Sequence, residues 1–300
     1  MEQPQVTLKS FRAQPGSLNR YDISQIKLVT HNNFRPTNAN HPNPKRTTTV
    51  ITENRMKAKI KAGEPAFGVS ITFPAPELVE MVAQAGYDWI LIDAEHGSHA
   101  ITDVYQMVLA CELHGLTPIV RPQVNDADVI LRYLDRGAMG VQVPHVNTAA
   151  EAEAAVKAVR FYPEGERGLG GGRKAMGISE PEFLKRSNEE TLVCVQIEHK
   201  EGLDNLDEML EVSGVDVFFV GPSDLSQSLG YPGQRTHPVV AEAVDTAFKK
   251  IHAAGRASGT PGGPELARSN VERGVLYHYT HIPTFVSHYS QHFFKTVRGD

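Results

Sequence analysis

The chain predicts a (β/α)₈ barrel of the TIM type, and three observations carry that expectation. From about Pro65 onward, short apolar runs alternate with amphipathic stretches. The apolar runs lack the in–out alternation of a half-exposed strand, so they read as parallel strands buried on both faces. Eight strand–helix units fit into about 235 residues, which suits one closed barrel better than an open doubly wound sheet.

The strand expectations are Ala66–Thr72, Trp89–Asp93, Thr117–Arg121, Gly140–Pro144, Thr191–Glu198, Val215–Val220, Arg256–Thr260 and Val275–Tyr279. Helices are expected between them over Ala75–Ala85, Ile101–His114, Asp126–Arg136 and Ala149–Arg160, then Leu203–Val212, Val239–Ala254, Pro264–Arg273 and Pro283–Val297. Glycines such as Gly86, Gly115 and Gly274 follow several of these stretches, where a helix commonly ends. The barrel is expected to occupy residues 56–300. Residues 1–55 are rich in Asn and Pro and lack periodicity, which predicts an irregular N-terminal arm.

Composition excludes several function classes. No run approaches the roughly 18 apolar residues of a membrane-spanning helix. The formal net charge of -5 gives no reason to expect nucleic acid or an anionic membrane as partner. Charge is uneven, however: residues 1–50 sum to +5 and the remainder to -10. Cys111 and Cys194 fall in different elements and suit a reducing compartment, so the expected location is cytoplasmic. The basic leader keeps a mitochondrial address as the alternative.

In a barrel, chemistry belongs where strands end and loops begin. Five consecutive strands carry polar residues to that rim: Asp93 and His96, Arg121, His145, Glu198, and Asp224. Glu198 and Asp224 follow adjacent parallel strands, whose axes lie roughly 4.8 Å apart. Two carboxylates that close repel unless a cation sits between them. With waters and substrate oxygens they suit Mg²⁺, with Mn²⁺ or Co²⁺ as alternatives. Arg121 offers a rigid cationic fork to a carboxylate or a developing oxyanion. Asp93 and His96 read as a dyad in which the carboxylate orients a proton-moving imidazole, with Glu95 between them facing away. Gln196, His145, Ser223 and Asp224 are expected to line the substrate.

These residues resemble the HpcH/HpaI aldolase/citrate lyase family over roughly residues 55–300. The matching pieces include Leu91-Ile-Asp-Ala-Glu-His-Gly97, Val120-Arg-Pro122, Val143-Pro-His145, Gln196-Ile-Glu198 and Gly221-Pro-Ser-Asp-Leu-Ser226. The resemblance implies a TIM barrel and a class II pyruvate aldolase, with Glu198 and Asp224 as metal ligands. It also implies that Arg121 contacts a 2-oxo acid and that Asp93 with His96 handles protons. His145 is most similar to the macrophomate-synthase branch, and the implied assembly is a homo-oligomer, a hexamer or trimer, with the C-terminal helix exchanged between subunits.

The expected reaction is retro-aldol cleavage of a 4-hydroxy-2-oxo acid or a 2-oxo-3-deoxy sugar acid to pyruvate and an aldehyde. Decarboxylation of oxaloacetate passes through the same enolate and stands second; a lyase of coenzyme A thioesters is third. Three other signals are read more plainly. Gly168-Leu-Gly-Gly-Gly-Arg173 follows a helix and lacks a phosphate-loop ending, so it is expected to be a lid or active-site loop. Lys200 is not expected to form an imine, because the carboxylate pair already implies an electron sink. His288 and His292, four apart on a helix, are expected at a subunit interface.

Overall fold

A computed structural model of the protein describes residues 53–170 and 172–299. The predicted arm therefore lies outside the described residues, apart from its last three positions. Eight parallel strands close into a barrel in chain order. They are β1 (Ala66–Ile71), β2 (Trp89–Asp93), β3 (Thr117–Arg121), β4 (Gly140–Val143), β5 (Leu192–Ile197), β6 (Val217–Val220), β7 (Ala257–Pro261) and β8 (Tyr277–His281). The ring is sealed by β1 against β8, with Ala66 opposite Tyr277.

The helices between them are α2 (Pro76–Gln84), α3 (Ile101–His114), α4 (Ala127–Asp135), α5 (Ala149–Val159), α6 (Glu180–Glu190), α7 (Lys200–Asp204) and α8 (Leu206–Leu210). After β6 come α9 (Pro222–Ser228) and α10 (Pro238–Ala253), then α11 (Pro264–Glu272) and α12 (Ile282–Arg298), while α1 (Arg55–Lys61) precedes the barrel. Local chemistry sets several starts. Asp126 accepts from the N–H groups of Asp128 and Val129 and so caps α4. Thr148 and Glu151 form a reciprocal capping box that opens α5.

Two hydrophobic cores result from the period of two along each strand. Outward residues such as Val69, Ile90, Val120 and Val195 pack under the helices. Inward residues, among them Trp89, Leu91, Ile119, Cys194, Phe219 and Tyr277, fill the barrel. Trp89 lies over β1, where a side-chain carbon on Gly68 would come within 2.3 Å of the indole; only glycine leaves that room. Met56 and Ile60 of α1 join the interior cluster and plug the N-terminal end.

Three elements escaped the sequence reading: α1, α6 and α9. The single helix expected over Leu203–Val212 is two short ones, meeting at Asn205. Strand β8 starts two residues later than expected and ends at His281. The glycine-rich segment is also corrected. It lies between the end of α5 and the start of α6, in the stretch that returns the chain to the start of β5 on the side opposite the strand C-termini, and Gly172 packs against the backbone of Asp135. That position rules it out as a lid over the rim. Among the described residues, no helix is long and apolar enough to cross a membrane.

Candidate active site

The inward register of β2 and β3 decides the first part of the rim. Asp93 and Arg121 are Cα partners across the two strands, and both side chains point inside. Arg121 Nε donates to Asp93 Oδ1 at 3.0 Å and Nη2 to Oδ2 at 2.5 Å, a two-pronged fork. Burial alone would raise the Asp93 carboxyl, but the Arg121 fork and the His96 N–H hold it below its usual range. Burial likewise opposes the Arg121 charge, and Asp93 more than restores it. Arg121 Nη1 has no hydrogen-bond partner among the described residues.

The expected Asp93–His96 dyad takes a different form. Asp93 Oδ1 accepts from the His96 backbone N–H at 3.2 Å, so the carboxylate shapes the loop rather than holding the ring. The exposed His96 ring lies nearest Glu95, with Nε2 3.8 Å from Oε2. Glu95, expected to face away, turns into the site with its side chain only 10% exposed. The loop is tight enough to force this: a side chain on Gly97 would strike the Asp93 carbonyl at 2.0 Å.

Glu198 follows β5 and is buried. Its Oε1 accepts from the His145 N–H at 2.8 Å and lies 3.0 Å from His145 Nδ1. Oε2 accepts from the Gln196 amide. His145 adopts φ 54°, a left-handed conformation uncommon outside glycine, which directs both its N–H and its ring at Glu198. The other ring nitrogen, Nε2, is 3.1 Å from Glu95 Oε1. One imidazole thus spans two carboxylates. Glu95 Oε2 lies 3.1 Å from Arg121 Nε, yet it is buried with no hydrogen bond. Burial raises the Glu95 carboxyl, and the nearby Glu198 adds to the shift.

Asp224 and Ser223 stand in the first turn of α9, both exposed. Gly221 immediately precedes the helix, and a side-chain carbon there would sit 3.1 Å from Glu198 Oε2, so α9 begins against that carboxylate. Asp224 makes no hydrogen bond or ion pair with the described residues. Gln196 is buried, both ends of its amide engaged inside the barrel. Lys200 pairs with Asp204 on exposed α7. His281 was missed as a rim residue; the two-residue shift of β8 puts it at the strand end, where burial and Arg121 lower its ring below the usual histidine range. Beside it, a cavity of about 400 Å³ opens between Ser223, Arg235, Phe248, Leu266 and His281.

Buried acids thus outnumber buried cations at the C-terminal rim, as expected of a barrel enzyme that handles anionic oxygens through a cation. The sequence signature of HpcH/HpaI aldolase/citrate lyase matches residues 69–262. The chain belongs to the HpcH/HpaI aldolase/citrate lyase family. A 2-keto-3-deoxy-L-rhamnonate aldolase of Escherichia coli (strain K12) is 38% identical over 231 residues, 76% of this chain and 86% of that protein. The crystal structure of a family member from Burkholderia cenocepacia J2315 matches with a TM-score of 0.77 at 30% identity, covering 82% of this chain and 99% of that one. Macrophomate synthase matches with a TM-score of 0.71 at 22% identity, over 82% of this chain and 89% of its own, which supports the common barrel.

This HpcH/HpaI family member is a carbon–carbon lyase of the aldolase type, and enzymes of its class generally work with a divalent metal. Its rim fits such an ion chemically. Asp93, Glu95 and Glu198 are three buried or nearly buried carboxylates against the single guanidinium of Arg121. Glu95 Oε2 is buried without a hydrogen bond, its neighbour Arg121 Nε being committed to Asp93, and a further cation nearby would relieve that arrangement.

Proposed function

We propose that this chain cleaves 2-oxo-3-deoxy sugar acids to pyruvate and an aldehyde, with Mg²⁺ as the working ion. Two observations support the reading. The E. coli relative carries a 2-keto-3-deoxy-L-rhamnonate aldolase activity in its name. The surplus of buried carboxylate at the rim, above all Glu198 beside Glu95, is the observation that carries it. Glu198 and Asp224 would hold the ion, which supplies positive charge to the carboxylate and 2-oxo oxygens of the substrate.

The remaining roles belong to the chain itself. Arg121, pinned by Asp93, presents Nη1 to the negative charge that develops on the 2-oxo oxygen as the C3–C4 bond breaks. His96, with Glu95 rather than Asp93 nearest its ring, takes the proton of the C4 hydroxyl and returns a proton to C3. His145 and the first turn of α9, Ser223 and Asp224, border the pyruvate half. The aldehyde half lies toward the cavity between Arg235 and His281.

The test is pyruvate release from a panel of 2-oxo-3-deoxy sugar acids, 4-hydroxy-2-oxo diacids and oxaloacetate, with and without EDTA. The sugar acids should give the highest kcat/KM, and EDTA should abolish turnover until Mg²⁺ is returned. Preference for oxaloacetate would overturn the substrate, and full activity after metal removal would overturn the role of Glu198 and Asp224.

We also infer a homo-oligomer in which α12 packs on a second copy. None of its residues is buried, and Phe285, Tyr289, Phe293 and Phe294 are exposed along it. Light scattering should give a trimer or hexamer; a monomer at micromolar concentration would refute this.

A further inference from the structure

Barrel interiors are ordinarily filled with branched apolar side chains. Here the middle of the barrel holds two glutamines, Gln142 of β4 and Gln196 of β5, exposed by 0% and 2%. Burying an amide without partners is costly, so their partners matter. Tyr277 Oη donates to Gln142 Oε1 at 3.0 Å. Gln142 Nε2 donates to Gln196 Oε1 at 2.6 Å. Gln196 Nε2 donates in turn to Glu198 Oε2. The chain of donors starts at β8, crosses the barrel, and ends on the rim carboxylate.

The direction of this chain follows from its ends. An ionised carboxylate has only lone pairs, so Gln196 must turn its NH₂ toward Glu198 and its oxygen away. That oxygen needs a donor, which fixes the Gln142 amide the same way round. The Gln142 oxygen then needs a donor of its own, and a phenol is a group with a proton to give and no need to receive one. Burial pushes the Tyr277 phenol well above its usual range, so the proton stays in place. Without Tyr277 and Gln142, the Gln196 amide is free to rotate and offer its oxygen to Glu198 instead.

We propose that Gln142 and Tyr277 are positioning residues that act through Gln196 to set the orientation of Glu198 for its divalent ion. The inference rests on the reading of Glu198 as a metal ligand. It gives Gln196 the role of holding that carboxylate. Partners that orient a ligating carboxylate typically account for 10- to 100-fold in metal affinity or activity.

The experiment is calorimetric titration of the full-length chain with Mn²⁺, with folding of each variant checked by circular dichroism. Wild type should bind, and E198Q should not. Q142M should weaken Mn²⁺ about tenfold, and Y277F should weaken it by a smaller factor. The double variant should match Q142M, because links in series lose nothing further once one is cut. In pyruvate-release assays, KM for the 2-oxo acid substrate should rise more than kcat falls in both single variants. Should Q142M not fold, Y277F alone decides, since it removes one oxygen. Wild-type affinity in the single variants, or effects that multiply in the double, would overturn the relay. A wild-type chain that binds no Mn²⁺ would overturn the metal site itself and the relay with it.

Discussion

The two ends of the barrel bury charge in opposite ways. At the N-terminal end, Lys57 donates to the Thr191 carbonyl at 2.8 Å and pairs with Asp216 at 3.1 Å. Arg160 reaches the same carbonyl and the same carboxylate, and Asp216 also accepts from the Val193 N–H. Arg167 pairs with Asp135 nearby. Each buried charge there has an opposite partner, and Asn54 ties the plug helix to the carbonyls of Met139 and Glu190. At the C-terminal rim, Asp93 and Glu95 share one guanidinium, Glu198 faces the His145 ring, and a Glu95 oxygen is buried without a hydrogen bond. Matched burial serves stability; unmatched burial reserves a place for a ligand.

That contrast predicts opposite responses to removing one charge at each end. Glu198→Gln takes a carboxylate from the overcrowded rim. The apo protein should melt no lower than wild type, while kcat/KM falls by about 10³-fold or more, roughly 4 kcal/mol of transition-state stabilisation. Thermal melts and pyruvate-release kinetics on the same preparation check both halves. A melting point well below wild type would mean that the rim carboxylate is structural.

Asp216→Asn makes the complementary change. It leaves Lys57 and Arg160 facing each other with their shared carboxylate gone. Even in the wild type, burial outweighs Asp216 and pushes the Lys57 amine down to about 8. Breaking such a buried network should cost about 3 kcal/mol in urea unfolding. Activity per folded molecule should be unchanged, because the substitution is at the far end from the rim. Loss of kcat/KM without loss of stability would break the division between the two ends.

Sequence patterning carried most of this architecture. Runs such as Trp89–Asp93 and Thr117–Arg121 have their boundaries at the observed positions because a parallel strand is apolar on both faces and stops at its first charge. The same feature marked Asp93, Arg121 and Glu198 as rim residues. Helix α9 was hidden because Pro222–Ser228 is short and largely polar, with no apolar face of its own to announce it. The β8 shift was hidden because Tyr277-His-Tyr-Thr-His281 alternates large and polar residues that read equally well as loop.

The orientation of Glu95 and the pairing of Asp93 with Arg121 were beyond the sequence for a physical reason. Which of several neighbouring acids meets a cation depends on the pleat and on the turn at Gly97, and not on residue type. The Asp93 motif suggested a carboxylate–imidazole dyad, whereas the inward register of two strands gave that carboxylate to a guanidinium. Gln142 gave no signal at all, since a lone glutamine inside an apolar run is most simply read as noise.

Between the two ends, the barrel wall offers a third case, a buried titratable group with neither partner nor ligand. His278 points outward from β8 beneath the helices, 2% exposed, and its Nε2 has no hydrogen bond. Burial pushes the ring down to about 4 from an ordinary 6.5. Above pH 6.5 the ring is neutral in both folded and unfolded chains and contributes no pH dependence. As the pH falls from 6.5 toward 4, the unfolded chain takes up a proton that the folded one refuses, so stability is lost across that window. The loss should approach about 2–3 kcal/mol. His278→Leu removes it: whatever the variant's stability at pH 7, its difference from wild type should move in its favour by that amount at pH 4. Parallel urea titrations at the two pH values measure the shift, and parallel curves would show that the ring is already solvated in the native wall.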